Sequence, residues 1–137
     1  MAGMDLVPIS EVAAGFGLPI STLHYWERCG LVTPHRRSGR RCYDRDQLYR
    51  IALLRVWRET GRLSLDDIAA ALGVRATDRS WRDTVSARIE AIDAEAARLE
   101  TARAYLTHLL GCRYEGVPDE CPRFREEVRM PVAGALP

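Results

Sequence analysis

Two thiols near the C-terminal end of the chain, Cys112 and Cys121, have eight residues between them, and Pro122 follows the second. Thiolates held in a loop bind soft cations such as Cu(I), Hg(II) or Zn(II). His108 stands four residues before Cys112, one turn back on the same face of a helix. The three side chains together make an N/S₂ donor set suited to zinc. Nearer the N-terminus, Arg36, Arg37, Arg40 and Arg41 flank a Ser38-Gly39 turn. Guanidinium forks match the geometry of phosphate oxygens. An aromatic and basic segment, TLHYWER, lies just ahead of them, after a Gly-Leu-Pro turn at 17–19. Two short helical patterns joined by that turn and followed by a charged loop have the layout of a winged helix-turn-helix. One helix would enter a DNA groove and the loop would lie on the backbone. No Ser/His/Asp arrangement, phosphate-binding glycine loop or HExxH run occurs, and three scattered His offer little for acid–base work. The chain is therefore expected not to be an enzyme.

Composition agrees with a polyanion partner at one end. All twenty cations are Arg. Residues 1–62 hold ten Arg against six acids, whereas residues 63–137 hold ten Arg against thirteen. The net charge of +1 thus hides a basic N-terminal half. No apolar run approaches the roughly 18 residues of a membrane span, and Met1–Val7 lacks the pattern of a secretory signal. A cytoplasmic protein with no membrane partner is expected, and its four Cys should be reduced thiols. Cys29 and Cys42 lack metal-ligand spacing and receive no site.

The elements that must position these groups follow from periodicity and punctuation. Ser10–Phe16 reads as a first helix, stopped by Gly17, and Ser21–Cys29 as a second, with Leu23 inward and Gly30 at its end. Leu31–Tyr43 reads as a small two-stranded wing. Asp44 caps a third helix running to about Thr60, with Leu48, Ile51, Ala52, Leu54, Val56 and Trp57 on its apolar face. Ser64, with Asp67 three residues on, opens a fourth helix. From Arg79 to Leu110 one long helix is expected. Val85, Ile92, Leu99 and Leu106 recur every seven residues beside a second row of Ile89, Ala96, Arg103 and Leu110. A rod of about 45 Å carrying such a stripe calls for a second copy. Gly111–Arg123 is too rich in Gly and Pro for a helix, Phe124–Met130 suits a last turn or two, and the end reads as a frayed tail. The chain thus divides into a DNA-binding head at 8–75, a dimerisation helix at 78–110, a loop with a short helix at 111–130 and a tail at 131–137. Its fold class is mainly α.

In this order, TLHYWERCGLVTP, RRCYDRDQLYRIALLRVWRETG, SLDDIAAAL, the heptad helix and the loop with paired Cys resemble the MerR family of bacterial transcription regulators. The resemblance covers about residues 8–124. It implies a homodimer joined through an antiparallel coiled coil of Val85, Ile89, Ile92, Ala96, Leu99, Leu106 and Leu110. It implies binding to a pseudo-palindromic promoter in double-stranded DNA, and control of transcription by bending and undertwisting it for RNA polymerase. It further implies that Ser21, His24, Tyr25, Trp26 and Arg28 of the second helix face DNA. Arg36, Arg37, Arg40, Arg41 and Tyr43 of the wing and Arg58 of the third helix would lie on the backbone. The family's thiol sensors carry a similar Cys–loop–Cys-Pro arrangement, which makes a soft metal or a thiol-reactive signal the expected effector at His108, Cys112 and Cys121. A redox pair and plain packing stay open beside it.

Three departures stand out. Pro19 replaces the usual hydroxyl cap, the wing turn is short, and the GRLSL joint is one residue longer than the family's GFSL. The rival reading is an architectural DNA binder or repressor that answers to no effector.

Overall fold

Helix α1 (Ile9–Phe16) ends because Gly17 turns left-handed, at φ 64. Leu18 N–H then reaches back to the Ala13 carbonyl at 2.9 Å. The computed structural model describes residues 5–131. Pro19 holds the N-cap place of α2 (Ile20–Arg28) in extended conformation and offers no side-chain cap. Its carbonyl accepts from Thr22 N–H at 3.0 Å instead. Gly30, at φ 75, closes α2 with a bond from Leu31 N–H to the Trp26 carbonyl. Any side chain there would be strained and would touch Val74.

The sheet has one strand more than expected. Strand β1 (Val7–Pro8) pairs antiparallel with β3 (Arg40–Tyr43), which pairs antiparallel with β2 (His35–Arg37), in the order β1-β3-β2. A two-residue strand carries no alternation to read, and Pro8, which lacks an N–H, sits at the sheet's edge. Arg37 faces Arg40 across the turn, where Ser38 (φ 52) and Gly39 (φ 76) are both left-handed. That is the two-residue turn whose twist matches a hairpin.

Helix α3 (Arg45–Glu59) starts where Asp44 accepts from Gln47 N–H at 2.9 Å. Helix α4 (Leu65–Ala71) starts at a full capping box between Ser64 and Asp67. The core gathers Val12 from α1, Leu23 and Trp26 from α2, Tyr43 from β3, Ile51 and Leu54 from α3 and Ile68 from α4. Val56, expected on the inner face of α3, is 54% exposed. It lies two positions from Leu54, about 200° around the helix.

The chain groups into two units, Met1–Ile92 and Asp93–Pro137, and the boundary falls within helix α5 (Trp81–Leu110). Ser80 and Asp83 cap α5 reciprocally, at 3.0 and 3.2 Å. The backbone and side chain of Ser80 hold the Asp83 carboxyl below its usual pKa. Along α5 only Thr84 is buried. Val85 is half-buried and Ala96 exposed, while Ile89, Ile92, Leu99, Leu106 and Leu110 stand exposed. Within the loop expected to hold no helix, Pro118–Glu120 makes one 3₁₀ turn, and α6 (Pro122–Glu127) begins on its proline, earlier than Phe124. The expected tail lies, from residue 132 on, outside the described residues.

Asp44 joins two elements. Its other oxygen meets His35 Nε2 of β2 at 2.6 Å. The Gln47 N–H first, and then His35, lower its pKa. A lowered carboxyl contributes stability above its unfolded-state pKa, and that contribution is lost as pH falls through the folded value. Asp44→Ala is therefore expected to cost about 1 kcal/mol at neutral pH. Urea melts should show the gap to wild type closing below the usual carboxylate range, and a gap independent of pH would refute this role.

Candidate nucleic-acid interface

Helix α2 has an inner and an outer face. Leu23 and Trp26 point into the core, while Ser21, Tyr25 and Arg28 are exposed and Thr22 and His24 are half-buried. Arg28 lies over the Tyr25 ring, 5.6 Å from its centre. The neighbouring Cys29 thiol raises the Tyr25 pKa, and the exposed phenol can donate to a phosphate or a base edge.

Beside this face runs a cleft of about 600 Å³ between α2 and the α3–α4 joint. Ser21, Thr22 and Tyr25 line one side, and Arg55, Arg58 and Arg62 bring three guanidinium groups to it against the single carboxylate of Glu59. Arg55 is engaged with Glu59 at 3.4 Å, and Arg58 Nη1 donates to the Leu63 carbonyl at 3.5 Å. The sequence reading named Arg58 alone from this wall. Arg55, one turn before it at i−3, carried the helical signal that could have added it.

Three expected contacts need correction. Trp26 is part of the cleft wall yet only 4% exposed, so its indole is core filling under α2. Tyr43 is wholly buried. Among the described residues its hydroxyl has no partner, and burial, followed by the nearby Glu27, pushes its pKa up. It cannot reach a nucleic acid. Arg41 is not a free wing cation: its Nε donates to Glu27 Oε2 on α2 at 2.6 Å, with both side chains more than two-thirds buried. Alternation along β3 puts Arg41 on the face of Tyr43, toward the core. Arg36, Arg37 and Arg40 are exposed on the hairpin, and Arg36 Nη1 leans on the Gly39 carbonyl at 3.5 Å.

The expected metal set is not assembled either. Helix α5 stops at Leu110, and Gly111 and Cys112 N–H turn back to the His108 and Leu109 carbonyls. Cys112 therefore lies past the helix, and helical spacing from His108 does not apply to it. The two line a cavity of about 130 Å³ with Arg123, Phe124 and Glu127, whereas Cys121 is not in its wall and is 4% exposed. Both thiols are free. Among the described residues no group of three or more His, Cys, Asp or Glu side chains is placed to hold a metal ion.

Residues 7–73 match the model of the family described as MerR HTH family regulatory protein. The HTH-type transcriptional regulator HmrR of Rhizobium leguminosarum bv. viciae is 30% identical over 124 residues, which cover 86% of this chain and 95% of that protein. The chain belongs to the MerR family. Other curated relatives are longer, and the chain spans 42%, 52% and 40% of three of them. Two solved structures share the fold. PbrR691 of Ralstonia metallidurans CH34, in complex with lead(II), has a TM-score of 0.67 at 22% identity over 86% of this chain and 96% of that one. HiNmlR, a MerR family regulator lacking the sensor domain and bound to promoter DNA, has a TM-score of 0.54 at 20% identity over 77% and 88%. No helix among the described residues is long and apolar enough to cross a membrane.

The Glu27–Arg41 bond separates two kinds of arginine in this MerR head. Arg41→Ala is expected to lower stability by on the order of 1 kcal/mol and to weaken DNA binding. Arg37→Ala should weaken binding alone, with a shallower dependence on salt. Thermal melts beside salt titrations decide the matter, and an Arg41→Ala protein melting with the wild type would return Arg41 to the phosphate backbone.

Proposed function

We propose that the chain is a DNA-binding transcription regulator of the MerR type. It would act as a homodimer on a pseudo-palindromic promoter and control transcription by distorting the duplex, with RNA polymerase as an indirect partner. The observation that carries this reading is the outer face of α2. Ser21, Tyr25 and Arg28 are presented outward, with the Arg55–Arg58–Arg62 wall on one side and the exposed Arg36, Arg37 and Arg40 in the hairpin nearby. A helix of this kind suits a major groove, and cations around it suit the phosphates that fix its register. HiNmlR, which shares the fold, is bound to promoter DNA. Residues 8–75 form the head in this reading, 78–110 the dimerisation helix and 111–130 the loop that takes up a signal. The exposed apolar rows of α5, from Ile89 to Leu110, supply the seam for the second copy as an antiparallel coiled coil.

The signal is proposed to act on thiols. Cys112 and Cys121 are free, the first just past the end of α5 and the second at the start of α6. PbrR691 holds lead(II), but the described residues of one copy of this chain gather no set of three donors. Cu(I), Zn(II) and Hg(II) are the cations to try. In an anaerobic titration, a thiolate-to-metal absorption band that disappears in Cys112→Ser and Cys121→Ser would support a metal signal. No band with any of the three would remove the metal and leave the DNA reading standing, and an effector-independent repressor would then fit best.

Leu99→Arg on α5 is expected to yield a monomer in sedimentation and to lower affinity for a two-half-site duplex at least tenfold, because one head then binds alone. A wild-type chain that sediments as a monomer and shifts no duplex at low salt refutes the regulator.

A further inference from the structure

The joint between α3 and α4 holds a strained arginine. Thr60 and Gly61 N–H both reach the Val56 carbonyl, at 2.8 and 3.1 Å, and Leu63 N–H returns to the Trp57 carbonyl at 3.0 Å, six residues back. The turn is wider than the usual helix ending, whose returning bond spans five residues. Its left-handed position, where glycine is the default, is filled by Arg62 at φ 57. The glycine stands one place earlier. A Cβ on Gly61 would lie 2.9 Å from the Trp57 carbonyl oxygen, so that position cannot accept a side chain either.

Backbone strain of this sort clusters at functional sites. Arg62 is exposed and lines the cleft beside Ser21, Thr22, Tyr25 and Arg58. Its two neighbours there already donate within the chain, Arg55 to Glu59 and Arg58 to Leu63. Among the described residues the Arg62 guanidinium has no such partner, by ion pair or hydrogen bond. A duplex that seats α2 in its groove must carry its backbone past this wall.

We propose that Arg62 is a phosphate-binding residue of the DNA interface, held in a conformation unfavourable to arginine so that its fork faces the backbone flanking α2. The proposal rests on the DNA-binding reading and adds to it a contact that comes from the joint. Its ligand class is the phosphodiester.

Arg62→Gly tests it, because the two consequences have opposite signs. Glycine relieves the left-handed strain, so the full-length variant should melt at or above the wild-type temperature. Its affinity for a promoter-length duplex near 0.15 M salt should nevertheless fall about tenfold, and the slope of log K against log[salt] should become shallower by about one for each chain bound. Arg62→Lys, which keeps the charge, should keep the slope. An Arg62→Gly protein with wild-type affinity and slope overturns the assignment. So does one that melts well below the wild type, since a damaged turn then accounts for the weaker binding. If the wild type binds no duplex at low salt, the DNA reading has failed and Arg62 falls with it. That outcome is told apart by the wild-type control alone.

Discussion

A helix of nine residues does not persist in water by itself, because too few hydrogen bonds follow its costly first turn. Helix α2 exists because Leu23 and Trp26 are taken out of water on its inner face. Each such side chain is worth about 1.5–3 kcal/mol when fully buried. Burial of that face leaves the other to carry Ser21, Tyr25 and Arg28 outward. The same core that makes the helix therefore aims it, and Trp26 serves the interface by being kept from it.

The wing is tied down at both of its long strands. On β3, Arg41 reaches Glu27 of α2. On β2, His35 reaches Asp44, which also caps α3. These ties span fourteen and nine residues of chain and fasten the hairpin to α2 and to the start of α3. The remaining wing arginines can then act as fixed charges. A rigid placement loses less entropy on docking than a flexible arm would.

The helices and most of their ends were legible because the signals are local. Gly17 stops α1, Asp44 caps α3, and Ser64 with Asp67 opens α4, all read from neighbours a few positions apart. The reciprocal Ser80–Asp83 cap had the same local form and fixes the start of α5 one residue past it, at Trp81. The candidate interface showed in the sequence as residue types, and less so as the faces those residues occupy. A residue's type says that Arg41 and Tyr43 suit DNA, while its face on the strand says where it points. Once Tyr43 is core, period-two alternation sends Arg41 inward, but the partner waiting there, Glu27, sits fourteen residues away with no pattern to announce it. His108 and Cys112 do line one cavity, from whose wall Cys121 is absent, but not by the spacing used to pair them. Helical spacing was applied across Gly111, where the helix has already ended. The β1 strand, at two residues, had no periodicity at all.

In the proposed function, dimerisation and DNA binding would be linked through arithmetic on charges. The apolar rows of α5 expose Leu99 at 61%, Leu106 at 59% and Leu110 at 88%. Covering such residues with a second copy gains free energy that a lone chain forgoes. Arg103, in the second row, would interrupt the proposed seam, and a charge at one such position sets register at a cost in stability. Joining two heads doubles the phosphates neutralised, so the logarithm of affinity falls about twice as steeply with the logarithm of salt as for one head. A single head with a handful of arginines would hold DNA weakly at physiological salt. In the proposed homodimer, two heads yoked by α5 would bind as one ligand with two sets of contacts, the second set forming at the high effective concentration that the yoke imposes. On that proposal the long helix would raise affinity without touching DNA, and whatever alters its seam would alter promoter occupancy.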